Sequence, residues 1–189
     1  LLGLGLRIVV VGHAPPGTSG RNTQRQVAAV LNTTGLYSVV RHPLYVANYL
    51  IWLGIMLMPM HLWLALLFTL VFWLYYERIA AAEECFLQQQ FGEAFECWAA
   101  ATPAFLMNPW RWKASERPFC WRTALRREYT TVGGIVTAFV TLEIAETYVL
   151  KHQVALAPAW KLLAAAGVAI YFTLRAFKKH THLLNRPAG

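Results

Sequence analysis

Residues 44–58 and 62–76 are two apolar runs parted only by Pro59, Met60 and His61. No other feature narrows the possible folds so far. Each run is roughly 15 residues, at the short end for a helix that crosses a bilayer, and interfacial neighbours can lengthen each arm. Proline disfavours helix at the residue before it. The pattern therefore predicts two antiparallel helices around a proline turn rather than one long helix.

The rest of the chain agrees with a membrane setting. Hydrophobic residues make up 57% and charged residues 14%, against roughly 25% charged in a soluble domain. The eight Trp and other aromatics gather near the ends of apolar runs, as interfacial belts do. A length of 189 residues fits one domain. The net charge is +8 and every acid is a glutamate. A basic balance suits nucleic acid or an anionic membrane surface, and the long apolar runs favour the membrane and exclude a nucleic-acid module. The expected class is all-α, a polytopic integral membrane helical protein.

Along the chain, residues 1–11 read as the end of an apolar helix whose start lies before residue 1. Residues 12–23 read as a loop and residues 24–31 as a short surface helix. After the hairpin, residues 77–91 stay helical, without Gly or Pro. Gly92 ends that helix, because glycine tolerates the positive φ of a helix C-terminus. Residues 93–101 suit another short helix, and Thr102-Pro103 and Asn108-Pro109 mark a loop. Residues 110–127, rich in Trp and Arg, read as an interfacial segment. Residues 129–150 and 158–177 are two more spanning candidates. The expected organisation is one membrane domain over residues 1–189, with a core at 1–110, a basic interfacial segment at 111–128 and two additional helices at 129–189.

Charge sets the orientation. Residues 12–43, 77–128 and 178–189 carry nearly all the Arg and Lys, while the opposite turns hold only Lys151 and nearby Lys161. By the positive-inside rule the basic side is cytoplasmic, and the expected location is a bacterial inner membrane. Cys85, Cys97 and Cys120 are widely spaced without metal-ligand spacing and read as reduced thiols. The histidines show no metal spacing either, so no metal is expected.

Two motifs can carry chemistry. Arg41-His42-Pro43-Leu44-Tyr45 opens the first arm of the hairpin. Pro43 suits a first helical turn, the helix start offers free N–H groups to an anion, and Arg41 can fork onto a carboxylate. Equally, Arg41 and Tyr45 could anchor a helix end at the interface. Glu83 and Glu84 follow the second arm, with Leu87 one turn on. Paired carboxylates can hold an ammonium, a sulfonium or ribose hydroxyls, or act as a base; a solvated helix face is the plainer reading. A hairpin returns both motifs to the same membrane face. A polar loop at residues 18–23 is a second candidate anion site, with a plain solvated loop as the simpler reading, and Glu143 and Glu146, costly inside a membrane, could pair with Lys151 or a neighbouring helix, or meet a substrate.

In order along the chain, Gly35-x-Tyr37-x-x-x-Arg41-His42-Pro43-x-Tyr45, a hairpin, Glu83-Glu84-x-x-Leu87-x-x-x-Phe91-Gly92-x-x-Phe95 and Thr102-Pro103 resemble the isoprenylcysteine carboxyl methyltransferase and phospholipid methyltransferase superfamily. The resemblance covers residues 30–109, with an echo at Arg7. It implies an integral membrane enzyme using S-adenosylmethionine, with a cofactor pocket on the cytoplasmic side. It implies that Tyr37, Arg41, His42, Pro43, Tyr45, Glu83 and Leu87 bind the cofactor. Glu84 is the candidate catalytic base. The implied partner is a membrane lipid or lipidated substrate: an isoprenylcysteine carboxylate, a phospholipid headgroup or a lipid phosphate. The chain departs from the family at Ala47, where glycine is frequent, and at Ala99-Ala100-Ala101, where the carboxyl methyltransferases carry basic residues. A non-catalytic membrane protein that binds or transports lipid is the alternative.

Overall fold

The computed structural model describes residues 1–14, 28–181 and 184. Among them are six α-helices: α1 (Leu2–His13), α2 (Pro43–Met56), α3 (Leu62–Phe91), α4 (Glu93–Ala101), α5 (Trp121–Lys151) and α6 (Pro158–His180), with short 3-10 turns at Leu36–Ser38 and Pro109–Arg111. No strand forms among the described residues; an isolated bridge joins Gly35 to Lys113. Helices α3, α5 and α6 are each long and apolar enough to cross a membrane, and α1 and α2 are shorter apolar helices. The protein is an all-α, polytopic membrane helical protein.

The hairpin forms where expected. Pro43 occupies the first turn of α2, where its missing N–H leaves no bond unmade. The chain turns over residues 57–61, with Met60 at φ 58°. α3 then runs unbroken for 30 residues, far past the apolar run, because nothing between 62 and 91 breaks a helix. Gly92, at φ 53°, closes it by donating its N–H to the Gln88 carbonyl at 2.8 Å. α4 begins at the next residue.

α1 packs against α2 and α5, α3 against α2, and α6 against α5. Small residues set these approaches, as in other membrane helix pairs. A Cβ on Gly3 would press on the Ala47 carbonyl and Ile51, and Ala47 is fully buried. The outer face of α3 is apolar and exposed, with Leu66, Leu67, Leu70, Val71 and Leu74 turned outward. That is the face expected toward lipid.

Three local expectations change. α1 continues through Gly12 and His13, where a loop is expected, because residues 119–120 pack against its end: the Cys120 N–H donates to the Gly12 carbonyl at 2.8 Å and Phe119 fills the space where Gly12 lacks a Cβ. Residues 28–31 are not helical; the Ala28 carbonyl accepts from the Gln90 side chain of α3 instead. The remainder of that expected surface helix lies outside the described residues, as does the polar loop at 18–23. Finally, residues 121–127, expected within the interfacial segment, form the first turns of α5.

The segment between α4 and α5 returns across the start of α2 as a strap. The Arg41 N–H donates to the Pro103 carbonyl at 2.8 Å, the His42 N–H to Ala104 at 3.2 Å and the Asn108 N–H to Val39 at 2.9 Å. Further along, the Gly35 N–H donates to Lys113 at 3.0 Å, and the Lys113 N–H to the Ser38 hydroxyl at 2.9 Å. These bonds fix the backbone at 35–42, which carries the first motif.

Candidate functional site

The two motifs meet. His42 precedes Pro43 at the N-terminus of α2, and Glu83 and Glu84 stand on the return helix α3. The His42 Nε2 lies 2.7 Å from a Glu84 carboxylate oxygen. Its Nδ1 lies 3.6 Å from Glu83, so one imidazole spans both acids. The Tyr45 hydroxyl donates to Glu83 at 2.7 Å. The Arg41 Nε approaches Glu84 to 3.2 Å, and its Nη1 donates to the Ala99 carbonyl at 3.3 Å. The Arg41 Nε is buried and makes no aligned hydrogen bond.

Exposure grades across the cluster. The His42 side chain is 5% exposed, Glu84 25% and Glu83 40%. The imidazole is thus the buried centre, and Glu83 is the acid open to an incoming group. Aromatic rings hold the imidazole plane. It stacks on Tyr45 at 5.2 Å and 10° and on Phe105 of the strap at 5.5 Å and 29°. Tyr76 meets Tyr45 edge-on at 4.9 Å, and Trp73 packs on Phe105 at 5.1 Å.

Tyr37 is half-buried in the 3-10 turn before the motif. Its carbonyl accepts from the Trp98 indole of α4 at 3.0 Å. Burial, and then the Glu83 carboxylate, push its hydroxyl well above the ordinary tyrosine value, so it stands as a neutral donor. Leu87 is half-buried one turn beyond the acids on α3 and offers apolar surface. All the residues expected at the pocket therefore lie on three adjoining pieces: the 3-10 turn, the start of α2 and the exit of α3.

Phe105, Trp73 and Tyr76 complete the cluster without having been singled out from the sequence. The position of Phe105 two residues after Pro103 was the one available signal. A second polar centre was also missed. Arg7 of α1 forks onto Glu128 of α5, Nε to Oε2 at 2.7 Å and Nη2 to Oε1 at 2.9 Å, and its Nη1 donates to the Asn48 side chain of α2. The Glu128 side chain is 4% exposed. Glu143 is half-buried and Glu146 exposed on α5, and the expected pairing with Lys151 does not form among the described residues. Among the described residues, no group of three or more His, Cys or Glu is arranged to hold a metal ion.

The phospholipid methyltransferase family matches residues 19–94. Among curated proteins, the chain is similar to the nickel-cobalt-cadmium resistance protein NccN of Alcaligenes xylosoxydans xylosoxydans, 39% identical over 46% of this chain and 38% of that protein. It is 32% identical to the protein-S-isoprenylcysteine O-methyltransferase of Schizosaccharomyces pombe, over 43% of this chain and 35% of that one. The cobalt-zinc-cadmium resistance protein CzcN of Cupriavidus metallidurans is 38% identical over 54% of this chain and 45% of that protein. The chain thus spans less than half the length of each of these relatives. No solved structure matches it.

Proposed function

We propose, for a chain that belongs through residues 19–94 to the phospholipid methyltransferase family, that it is a membrane methyltransferase using S-adenosylmethionine and acting on a membrane-embedded amphiphile. The observation that carries this reading is the joining of the Arg41-His42-Pro43-x-Tyr45 corner to Glu83 and Glu84 across the hairpin.

The residues present fit the cofactor. When bound, S-adenosylmethionine supplies an electrophilic methyl group on a sulfonium, with a neutral thioether as leaving group. The buried Arg41 Nε lacks an aligned acceptor, and a carboxylate is the acceptor an arginine fork matches best. Glu83, the more exposed acid, would accept from an ammonium or hydroxyl group. Tyr45 and the rings beside it offer faces that attract a cation. Tyr37, Pro43 and Leu87 would supply the pocket wall. His42, clamped between two rings and bonded to Glu84, fixes the carboxylate pair. This is positioning chemistry: the chain's work is to align two reactants and exclude water.

The acceptor is an isoprenylcysteine carboxylate, a phospholipid headgroup or a lipid phosphate. The isoprenylcysteine methyltransferase among the relatives favours the first. The alanines at 99–101, where the carboxyl methyltransferases carry basic residues, weigh against it; among the described residues, Arg41 brings a cation to that turn and is bonded to the Ala99 carbonyl. An anionic acceptor needs no base. For an amine, Glu84 is the group that would take the proton. The excess of Arg and Lys on the site's side of the helices supports a cytoplasmic-facing site, in a bacterial inner membrane.

Calorimetry of the purified protein with S-adenosylhomocysteine tests cofactor binding. Transfer of labelled methyl from S-adenosylmethionine into a total lipid extract or a prenylcysteine analogue then identifies the acceptor class. Absence of binding would overturn the enzyme reading in favour of a non-catalytic lipid-binding or transport protein.

A further inference from the structure

Helices α5 and α6 lie beyond the family match, and between them runs a cavity of about 340 Å³. That volume is within the roughly 300–1,000 Å³ of small-molecule sites. Its wall includes Gly133, Gly134, Thr137, Val168 and Phe172. Gly133 and Gly167 are closed by the facing helix, where a Cβ would press on Tyr171 and Val136. Gly134 is open, with nothing within 4 Å of where its Cβ would stand. The groove therefore has a floor at Gly134 and an apolar wall in Phe172.

One end of the groove is basic. The Arg175 Nη1 donates to the hydroxyl of Tyr171, another lining residue, at 3.3 Å. One turn further, the Lys178 Nζ sits 5.1 Å over the Tyr129 ring. An apolar trough ending in two cations, Arg175 and Lys178, has the polarity of a single anionic lipid.

We propose that the α5/α6 groove holds one anionic phospholipid, its acyl chain along Gly134 and Phe172 and its phosphate at Arg175 and Lys178. This site is separate from the methyl-transfer reading and does not rest on it. A second copy of the chain is a poorer occupant. Packing two such grooves about an axis along the membrane normal would bring like-charged rims together, in a chain of net charge +8, and like charges in apposition oppose association.

The test uses the whole protein in vesicles of phosphatidylcholine with and without phosphatidylglycerol, and reads retained lipid by native mass spectrometry. The expected result is one phosphatidylglycerol retained per chain in preference to phosphatidylcholine. Gly134→Leu, which fills open space, should lower that retention by roughly tenfold while thermal stability stays near wild type. The double variant Arg175→Gln/Lys178→Gln should erase the headgroup preference, by about fivefold per cation removed, and decides the matter if Gly134→Leu does not fold. Equal retention of both lipids by the wild type, unchanged retention in the variants, or a dimer that Gly134→Leu dissolves would each overturn the proposal; the last would assign the groove to a second copy.

Discussion

Among the described residues, two arginine–glutamate centres are built from the same groups in opposite settings. At Arg7 and Glu128 the fork is closed: two aligned bonds, a third to Asn48, and a carboxylate almost out of solvent. At Arg41, Glu83 and Glu84 the arrangement is open: an arginine at ion-pair distance but unaligned, and an acid 40% exposed. The first joins three helices and leaves nothing for a visitor. The second has spare capacity on both the cation and the anion. Arginine and glutamate side by side therefore say little about role; the bonds left unmade say more.

The largest effect should come from the closed centre. Glu128→Ala strands a buried guanidinium and should cost about 3–5 kcal/mol of stability, read as the unfolding midpoint in detergent. The apolar replacement Arg7→Met/Glu128→Leu should recover most of it, since a buried pair contributes little net against well-packed apolar groups. If Glu128→Ala instead stays stable and loses cofactor affinity, the contrast between the centres collapses.

His42→Ala comes next and should act on function. Freed carboxylates are mispositioned, and methyl transfer should fall by roughly 10²-fold, with an unfolding midpoint close to wild type. Tyr45→Phe removes one bond to Glu83 and should weaken cofactor binding by about 1 kcal/mol, or roughly fivefold, in a calorimetric titration.

The smallest effect concerns Tyr37. Its folded-state hydroxyl is held above the ordinary tyrosine value by burial, then by Glu83. The stability this confers is fully present below the unfolded value, near 10, and is lost as pH rises past it toward the folded value. Tyr37→Phe should match wild type near neutrality, and its unfolding midpoint should fall less steeply above roughly pH 10. A parallel fall would mean that the Tyr37 hydroxyl is not held protonated by the fold.

The same contrast explains what could be read from sequence. The open centre was legible because its members come in two short motifs, and Pro59 announces the hairpin that joins them. Gly92 announces the end of α3. The closed centre was not, because Arg7 and Glu128 are 121 residues apart and neither has a local partner that marks it. Phe105 reaches His42 only through the strap's backbone bonds to residues 41 and 42, a tertiary arrangement without periodicity. The early start of α5 was hidden by Trp and Arg residues, which suit an interface and a helix equally well.

The length of α3 has a geometric consequence. Thirty residues extend about 45 Å, against a hydrocarbon core of about 30 Å. Counted from the hairpin turn, Glu83 stands about 32 Å along the helix, a rise close to that hydrocarbon thickness. The helix is thus a ruler, and the glutamate pair is its mark. An α3 upright in the bilayer would hold the acids at the height where acyl chains give way to headgroups. Inserting seven residues, close to two turns, below Glu83 would keep the carboxylates near the same helix face but lift them about 10 Å, away from that height and from His42.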